Sequence, residues 1–153
     1  MQKLCKILFA IAMVCTLTVA ALVLVVPDHS GELRTDLVVG DYYTLRVNET
    51  IVRTYTITDI TADGYIVTIE STGSSTSAGM SKEDFLKLVY FSPTNDTVDT
   101  GIRALIETDY GQHMCTLRTV DLSGYWVDSK NVIYKSFVGG VSQQLISTSL
   151  YRT

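Results

Sequence analysis

The sequence predicts a mainly β protein carried on an N-terminal transmembrane helix. Three observations indicate this fold class: a long uncharged apolar segment near the N-terminus, short alternating segments rich in Thr and Tyr after it, and turn residues between those segments. Thr and Tyr favour the half-buried surface of a pleated sheet, and short turns require antiparallel neighbours. We therefore expect a curled antiparallel sheet or half-barrel of about eight strands with one inserted α-helix.

The apolar segment at residues 7–26 contains no charged side chain. A helix of this length spans about 30 Å, the thickness of the hydrocarbon core of a bilayer. The alternative is a secretory signal peptide, which has a shorter apolar segment followed by small residues at its cleavage site. Cleavage after Ala20 or Ala21 would leave an apolar end, and no Ala-x-Ala sequence precedes Pro27. We predict a retained signal-anchor at residues 1–26, with a cleaved signal peptide as the alternative.

The charges on either side of this segment predict its orientation. Lys3 and Lys6 precede it, and basic residues stay on the cytoplasmic side of a membrane. We therefore expect a single-pass protein of the cell membrane with a cytoplasmic N-terminus and the remaining chain outside. The chain has 12 basic and 16 acidic residues, so residues 27–153, without those two lysines, carry 10 against 16, or −6. An acidic outer part argues against nucleic acid and against electrostatic docking on anionic lipid.

The chain after the anchor divides into a spacer and one domain. Residues 28–36 are mainly polar and contain Gly31, which is typical of a juxtamembrane spacer, here placed at residues 27–37. Residues 38–153 form the predicted extracytoplasmic β-rich domain, whose length suits a single core.

In the first half of the domain, alternating patterns predict strands at residues 42–47, 51–61 and 65–71. Asp63-Gly64 between the last two predicts a hairpin, since Gly supplies a positive φ without steric cost. Residues 72–78, which are small, are expected to form a loop. A helix is predicted at residues 82–90, where Ser81 and Asp84 resemble a capping box and apolar residues recur at helical spacing.

The second half of the domain is predicted to be a meander. Strand patterns at residues 102–108, 112–120, 125–128, 132–138 and 141–151 alternate with short turns containing Gly, Asp, Ser or Asn. One strand is apolar on both faces, with Val132 and Tyr134 on one and Ile133 and Phe137 on the other. This pattern favours a strongly curled sheet with the helix covering one face.

Three short stretches carry a resemblance to known proteins. The order of anchor, spacer, hairpin pair, helix and meander is similar to small single-anchor surface proteins of uncharacterised archaeal families. The curled sheet also resembles the half-barrel of periplasmic lipoprotein carriers, which implies a concave apolar face that holds acyl chains. Neither resemblance implies catalytic residues. The stretches are Val39-Gly40-Asp41-Tyr42-Tyr43, Ile106-Glu107-Thr108-Asp109-Tyr110-Gly111 and Tyr125-Trp126-Val127-Asp128.

The chemistry-bearing residues of the domain do not predict a metal or catalytic site. His113 and Cys115 are two apart on a predicted strand and share a face, with Glu107 or Asp109 as further ligands of a hypothetical metal site. Zinc sites use three or four protein ligands, and no second Cys/His pair occurs in the domain. We interpret Cys115 as a free, buried thiol, because the other two cysteines belong to the anchor. No cofactor, metal or catalytic residue is predicted.

Other candidate patterns have simpler interpretations. Asp96 and Asp99 do not have the ligand spacing of a calcium loop, and we interpret them as turn residues. Glu83 with Asp84 suits the electrostatics of a helix start. Tyr125-Trp126 is either an exposed aromatic patch for a partner or an aromatic pair at the margin of the core, and we favour the second.

Two sequons predict glycosylation on the outward side. Asn48-Glu49-Thr50 and Asn95-Asp96-Thr97 both fall at predicted turns, which places Asn48 and Asn95 where a sugar can be attached.

The function that these patterns favour is a non-enzymatic binding or interaction module at the membrane, for a partner protein, an envelope component or an apolar ligand. Two alternatives remain at this stage. One is an exported envelope-acting enzyme or maturation factor with a site that its motifs do not identify. The other is a secreted soluble domain released by signal cleavage.

Overall fold

The computed structural model describes residues 33–34 and 36–151. The predicted anchor at residues 1–26 therefore lies outside the described residues. Among those described, no helix is long and apolar enough to cross a membrane. The elements within them, in chain order, are β1 (Tyr42–Val47), β2 (Ile51–Thr61), β3 (Gly64–Ser71), β4 (Ser74–Met80), α1 (Lys82–Lys87), β5 (Val98–Thr108), β6 (Gly111–Val120), β7 (Ser123–Val127), β8 (Ile133–Val138) and β9 (Val141–Thr148).

All the strands belong to one antiparallel sheet, in the order β4-β3-β2-β1-β9-β8-β7-β6-β5. Two meanders, β1 to β4 and β5 to β9, are joined where β1 pairs with β9. The sheet does not close into a barrel, so β4 and β5 are its two edges. The predicted mainly β class, the antiparallel pairing and the inserted helix are confirmed.

The sheet has nine strands rather than about eight, because the loop predicted at residues 72–78 is wrong. Most of that segment belongs to β4, in which residues 74–79 are all exposed. A strand without a buried face shows no alternation of apolar and polar residues, so its pattern cannot reveal it. β4 pairs with β3 without a register shift, from Ser71–Ser74 to Tyr65–Met80, and this pairing defines the strand.

The hairpin predicted at Asp63-Gly64 is confirmed, with Thr61 paired to Gly64 across the turn. Gly64 has a φ of +151°, and a Cβ at this position would lie 2.5 Å from the carbonyl oxygen of Met80. Glycine is therefore required here by the close approach of the end of β4 as well as by the turn.

The C-terminal meander curls until the β5–β6 turn reaches β9, three strands away in the sheet order. The backbone N–H of Asp109 donates to the carbonyl of Ile146 over 3.0 Å. The side-chain amide of Gln144 donates to the carbonyl of Glu107 over 2.9 Å, and the Tyr110 hydroxyl donates to the carbonyl of Thr148 over 3.0 Å. The curled shape predicted from the two-sided apolar pattern is thus present in this half of the sheet.

Helix α1 packs against the N-terminal meander through one aromatic side chain. Phe85 is fully buried, and its ring centroid lies 4.8 Å from that of Tyr43 and 5.9 Å from that of Tyr65. The predicted cap is confirmed, since the Ser81 hydroxyl accepts the N–H of Asp84 over 3.0 Å. The helix is shorter than predicted and ends at Lys87, because the chain after Leu88 turns to pair with the start of β8.

Two apolar clusters lie among the described residues. The larger one includes Val132 and Tyr134 and extends to Phe85, whereas the smaller one contains Ile133. Both faces of the segment at residues 132–137, which contains most of β8, are therefore covered, as its sequence predicts, except that Phe137 is 52% exposed. A sheet with both faces covered needs an additional layer, and α1 with the segment that follows it provides part of that layer.

Part of the predicted spacer at residues 27–37 contacts the domain. Leu33 pairs with Tyr151, and the N–H of Arg34 donates to the carbonyl of Leu150 over 2.8 Å. Leu37 is buried in the larger cluster, and the Arg34 guanidinium forms an ion pair with Asp41. The two ends of the described chain consequently lie side by side.

The packing of α1 predicts that Phe85→Ala destabilises the domain. Loss of a fully buried ring that contacts two tyrosines should lower the free energy of unfolding by about 3–5 kcal/mol. Leu122→Ala is the matched control, because Leu122 is 94% exposed and its loss should cost less than about 0.5 kcal/mol. Urea unfolding followed by circular dichroism measures both. Equal losses of unfolding free energy in Phe85→Ala and Leu122→Ala would show that α1 does not close the core.

Candidate functional site

A groove lies between α1, the segment that follows it and strands β6 to β8. We call it the helix groove. Its volume is about 340 Å³, and most of its lining is apolar. The lining residues are Glu83, Leu86, Lys87, Tyr90, Phe91, Ser92, Thr94, Val120, Tyr125 and Ile133.

Backbone hydrogen bonds hold the wall of the helix groove against β8. The N–H of Tyr90 closes the end of α1 on the carbonyl of Leu86 over 2.7 Å. The N–H of Ile133 then donates to the carbonyl of Val89, and the N–H of Phe91 donates to the carbonyl of Asn131, each over 2.8 Å. The chain after α1 therefore acts as a short additional strand, which explains why the helical pattern predicted to residue 90 stops early.

Aromatic packing forms the floor of the helix groove. The rings of Phe91 and Tyr125 have centroids 5.1 Å apart and an interplanar angle of 48°. The Arg118 guanidinium lies 5.7 Å above the centre of the Phe91 ring, a cation–π geometry. Tyr90 stands at the rim and is 41% exposed. The groove thus offers an apolar floor with a polar margin from Glu83 and Lys87, which suits the apolar part of a ligand.

The structure places His113 and Cys115 in the core, where both side chains are buried. The His113 ring stacks on Tyr134 with centroids 4.2 Å apart, and its Nε2 is hydrogen-bonded to the Thr108 hydroxyl over 3.0 Å. The Cys115 thiol donates to the carbonyl of His113 over 3.5 Å. Glu107 and Asp109, the further ligands considered for a metal, are exposed at the end of β5. Among the described residues no three His, Cys, Asp or Glu side chains converge on one point.

A buried chain of hydroxyl groups ends on Asp128, which is 6% exposed. The Tyr151 hydroxyl donates to the Tyr134 hydroxyl over 3.1 Å, and the latter donates to Asp128 Oδ2 over 3.4 Å. Asp128 Oδ1 accepts the N–H groups of Lys130 and Val132 over 2.8 and 2.9 Å. These hydrogen bonds compensate the burial of the carboxylate. Sequence reasoning missed this cluster, because its members come from different strands with no common spacing.

Burial shifts the titration of this cluster. It raises the pKa of the Cys115 thiol to about 12, with a smaller contribution from the nearby Asp128 charge. Desolvation is also the main cause that raises the pKa values of Tyr134 and Tyr151 above their usual range. Folding therefore favours the protonated form of each group. The stability that this contributes is complete below the ordinary pKa values of thiols and phenols and is lost as the pH rises above them.

The remaining predicted residues occupy simpler positions. Asn48 and Asn95 are both exposed, and Asn48 Oδ1 accepts the N–H of Ser142 over 3.0 Å. Glycosylation of the two sequons stays a prediction. Tyr125 and Trp126 are half-buried and point to different clusters, Tyr125 to the smaller and Trp126 to the larger. Of the two interpretations of this pair, the structure favours aromatic side chains at the margin of the core.

The buried position of Cys115 predicts that its thiol is unreactive in the folded protein. At pH 8 a thiol with a pKa near 12 is protonated, and the neutral thiol is a poor nucleophile. Iodoacetamide should leave the peptide containing Cys115 unmodified in native protein and alkylate it completely in urea, as measured by mass spectrometry. Rapid alkylation of the native protein would contradict the buried, protonated state.

Tyr134, whose hydroxyl group is hydrogen-bonded, and Tyr43, whose hydroxyl group is not hydrogen-bonded within the described part of the chain, are predicted to respond differently to substitution by Phe. Tyr134→Phe should lower the free energy of unfolding by about 1–2 kcal/mol, because it removes a partner from both Asp128 and Tyr151. Tyr43→Phe should leave it unchanged or raise it, since the buried Tyr43 hydroxyl has no hydrogen-bond partner among the described residues. Urea unfolding at pH 7 measures both variants. Similar losses in the two would show that the Tyr134 hydrogen bonds do not stabilise the fold.

The helix groove and the buried hydroxyl chain differ in what they can do. Tyr134 and Asp128 of the hydroxyl chain are 0% and 6% exposed, whereas Tyr90 at the rim of the helix groove is 41% exposed. The chain matches no protein-family model, no curated protein and no solved structure.

Proposed function

We propose that this protein is a non-enzymatic binding module that the N-terminal helix displays on the outer side of the cell membrane. The domain binds the apolar part of a partner or ligand in the helix groove. The single observation that carries the proposal is the apolar lining of that groove by Leu86, Tyr90, Phe91, Val120 and Tyr125.

The position of the groove supports binding rather than simple imperfect packing. Its lining comes from α1, from the segment after it and from strands β6, β7 and β8, all of which are held by backbone hydrogen bonds. A site on such elements is preorganised, so little conformational entropy is lost when a ligand enters. Lys87 and Glu83 at the margin provide polar contacts that orient what the apolar floor binds.

The chemistry of the reactive side chains supports the non-enzymatic part of the proposal. The Cys115 thiol is protonated at neutral pH and lies in the core, away from the helix groove. His113 is stacked on Tyr134 in the same core. A nucleophile needs a lowered pKa and access to a substrate, and Cys115 has neither.

An apolar photoreactive probe, a trifluoromethylphenyl diazirine, tests the proposal on the full chain in detergent micelles. Mass spectrometry should map its adducts to residues 86–91 and to Val120 and Tyr125. Leu86→Glu, which places a charge in the groove, should lower this labelling by at least about fivefold, because a buried apolar contact contributes about 1 kcal/mol or more.

Leu122→Glu is the matched control, since it adds the same charge at an exposed apolar residue outside the groove. It should leave labelling of the groove unchanged. If the label instead spreads equally over exposed apolar residues such as Leu122 and Phe137, the groove has no binding preference and the proposal fails.

A further inference from the structure

The two edges of the open sheet are protected to very different degrees. The pairing of β5 with β6 is interrupted by a register shift between Asp99 and Arg103, and both of these side chains are charged. The far end of β5 is covered by β9, through the Asp109–Ile146 and Gln144–Glu107 hydrogen bonds. Bulges, charges and covering contacts are the means by which natural sheets prevent a further strand from adding to an edge.

β4 has none of these protections. Its residues include no charged side chain and no proline, and its pairing with β3 has no register shift. The turn closes on the hydrogen-bonded pair Ser71–Ser74, so the backbone groups of every second residue of β4, beginning with Ser74, are hydrogen-bonded to β3. The N–H and C=O groups of Ser75, Ser77 and Gly79 therefore face the open edge. Among the described residues, no backbone hydrogen bond joins these groups to another element.

We propose that β4 is an interface at which a second copy of this chain adds its own β4 in antiparallel pairing. Pairing centred on Ser77 places Ser77 opposite Ser77 and Ser75 opposite Gly79, so the outward backbone groups of one copy meet those of the other. The domain is acidic, yet this edge carries no charge, so two copies meet there without like charges directly opposite each other.

The neighbouring side chains favour the same occupant. Ile69 of β3 and Met80, the last residue of β4, are half-buried and pack against the larger cluster from its margin. A second β4 laid along the edge covers them further and buries additional apolar surface. The small side chains of Ser75, Ser77 and Gly79 allow the two backbones to approach to the normal spacing between strands.

The protected β5 edge limits the assembly to two copies. A pairing of β4 with β4 is isologous, because the same surface is used on both sides, and it consumes the free edge of each copy. Continued addition would need β5, where the register shift and the contacts with β9 prevent it. The geometry thus leads to a closed dimer with one continuous sheet and not to an open fibre.

Sedimentation velocity of the full chain in detergent micelles tests this interface. The unmodified protein should dimerise reversibly with increasing concentration. Ser77→Lys should raise the dissociation constant of the dimer by at least about tenfold, because it places two lysines opposite each other at the centre of the pairing. Ser77→Pro should have a similar effect, since it removes the two central hydrogen bonds while the N–H that it eliminates makes no contact with β3.

Thr58→Lys is the matched control. The hydroxyl groups of Thr58, Thr68 and Ser77 form a hydrogen-bonded row on one face, so this variant adds the same charge to the same face but on the interior strand β2. It should leave the dissociation constant unchanged. Should Ser77→Pro fail to fold, Ser77→Lys still decides the question, because lysine is tolerated at an exposed edge.

Three results would overturn the proposal. It fails if the unmodified chain is monomeric over the whole concentration range, if neither Ser77 variant changes the dissociation constant of the dimer, or if oligomers larger than the dimer form. Because β4 is at the opposite side of the sheet from β6, β7 and β8, these results do not depend on binding in the helix groove.

Discussion

The structure depends on the pairing of its first strand with its last. β1 lies between β2 and β9, and without this pairing the two meanders would be separate sheets. The contact is anchored by Thr148, whose hydroxyl donates over 2.8 Å to the carbonyl of Tyr42, 106 residues away. The entropic cost of closing so long a loop grows only slowly with its length, so the core that the pairing completes can compensate for it. Tyr43 and Leu45 of β1 lie in that core and are almost fully buried.

Two buried carboxylates fix the path of the chain beside β1 and β7. Asp41 is 3% exposed and accepts the N–H of Val38 and the hydroxyl of Ser149, over 2.8 and 3.1 Å, in addition to its ion pair with Arg34. Asp128 has the corresponding role at the end of β7. A carboxylate in the interior is tolerated only when hydrogen bonds replace its hydration, so each of these residues defines the path of the chain around it. Both lie where a strand begins or ends, which is where backbone N–H groups are free to donate.

The helix groove and the open β4 edge have a common origin in the unequal covering of a curled sheet. The C-terminal meander curls on itself and covers the end of its own outer strand. The N-terminal meander does not, and α1 covers only the part of it around Tyr43 and Tyr65. A helix of six residues covers only part of one face of the sheet, and an apolar groove remains beside its C-terminal end. The β4 edge remains open because the sheet does not close into a barrel.

The sequence by itself determined the class of fold, most strand positions and the start of the helix. β1 and β2 have the predicted bounds, and the Ser81 cap and the Asp63-Gly64 hairpin are confirmed, because turn chemistry and alternation of side chains are local properties. Tertiary structure alone decided three things. The first is β4, which has no buried face and exists because it pairs with β3. The second is the end of α1, where pairing with the chain at the start of β8 overrides the helical pattern, and the third is the helix groove. The lining of the groove is drawn from segments far apart in the chain, and the stacking of His113 on Tyr134 likewise joins two different strands. Periodicity describes which faces of an element are apolar, whereas a site depends on which elements meet, and that is decided by long-range pairing.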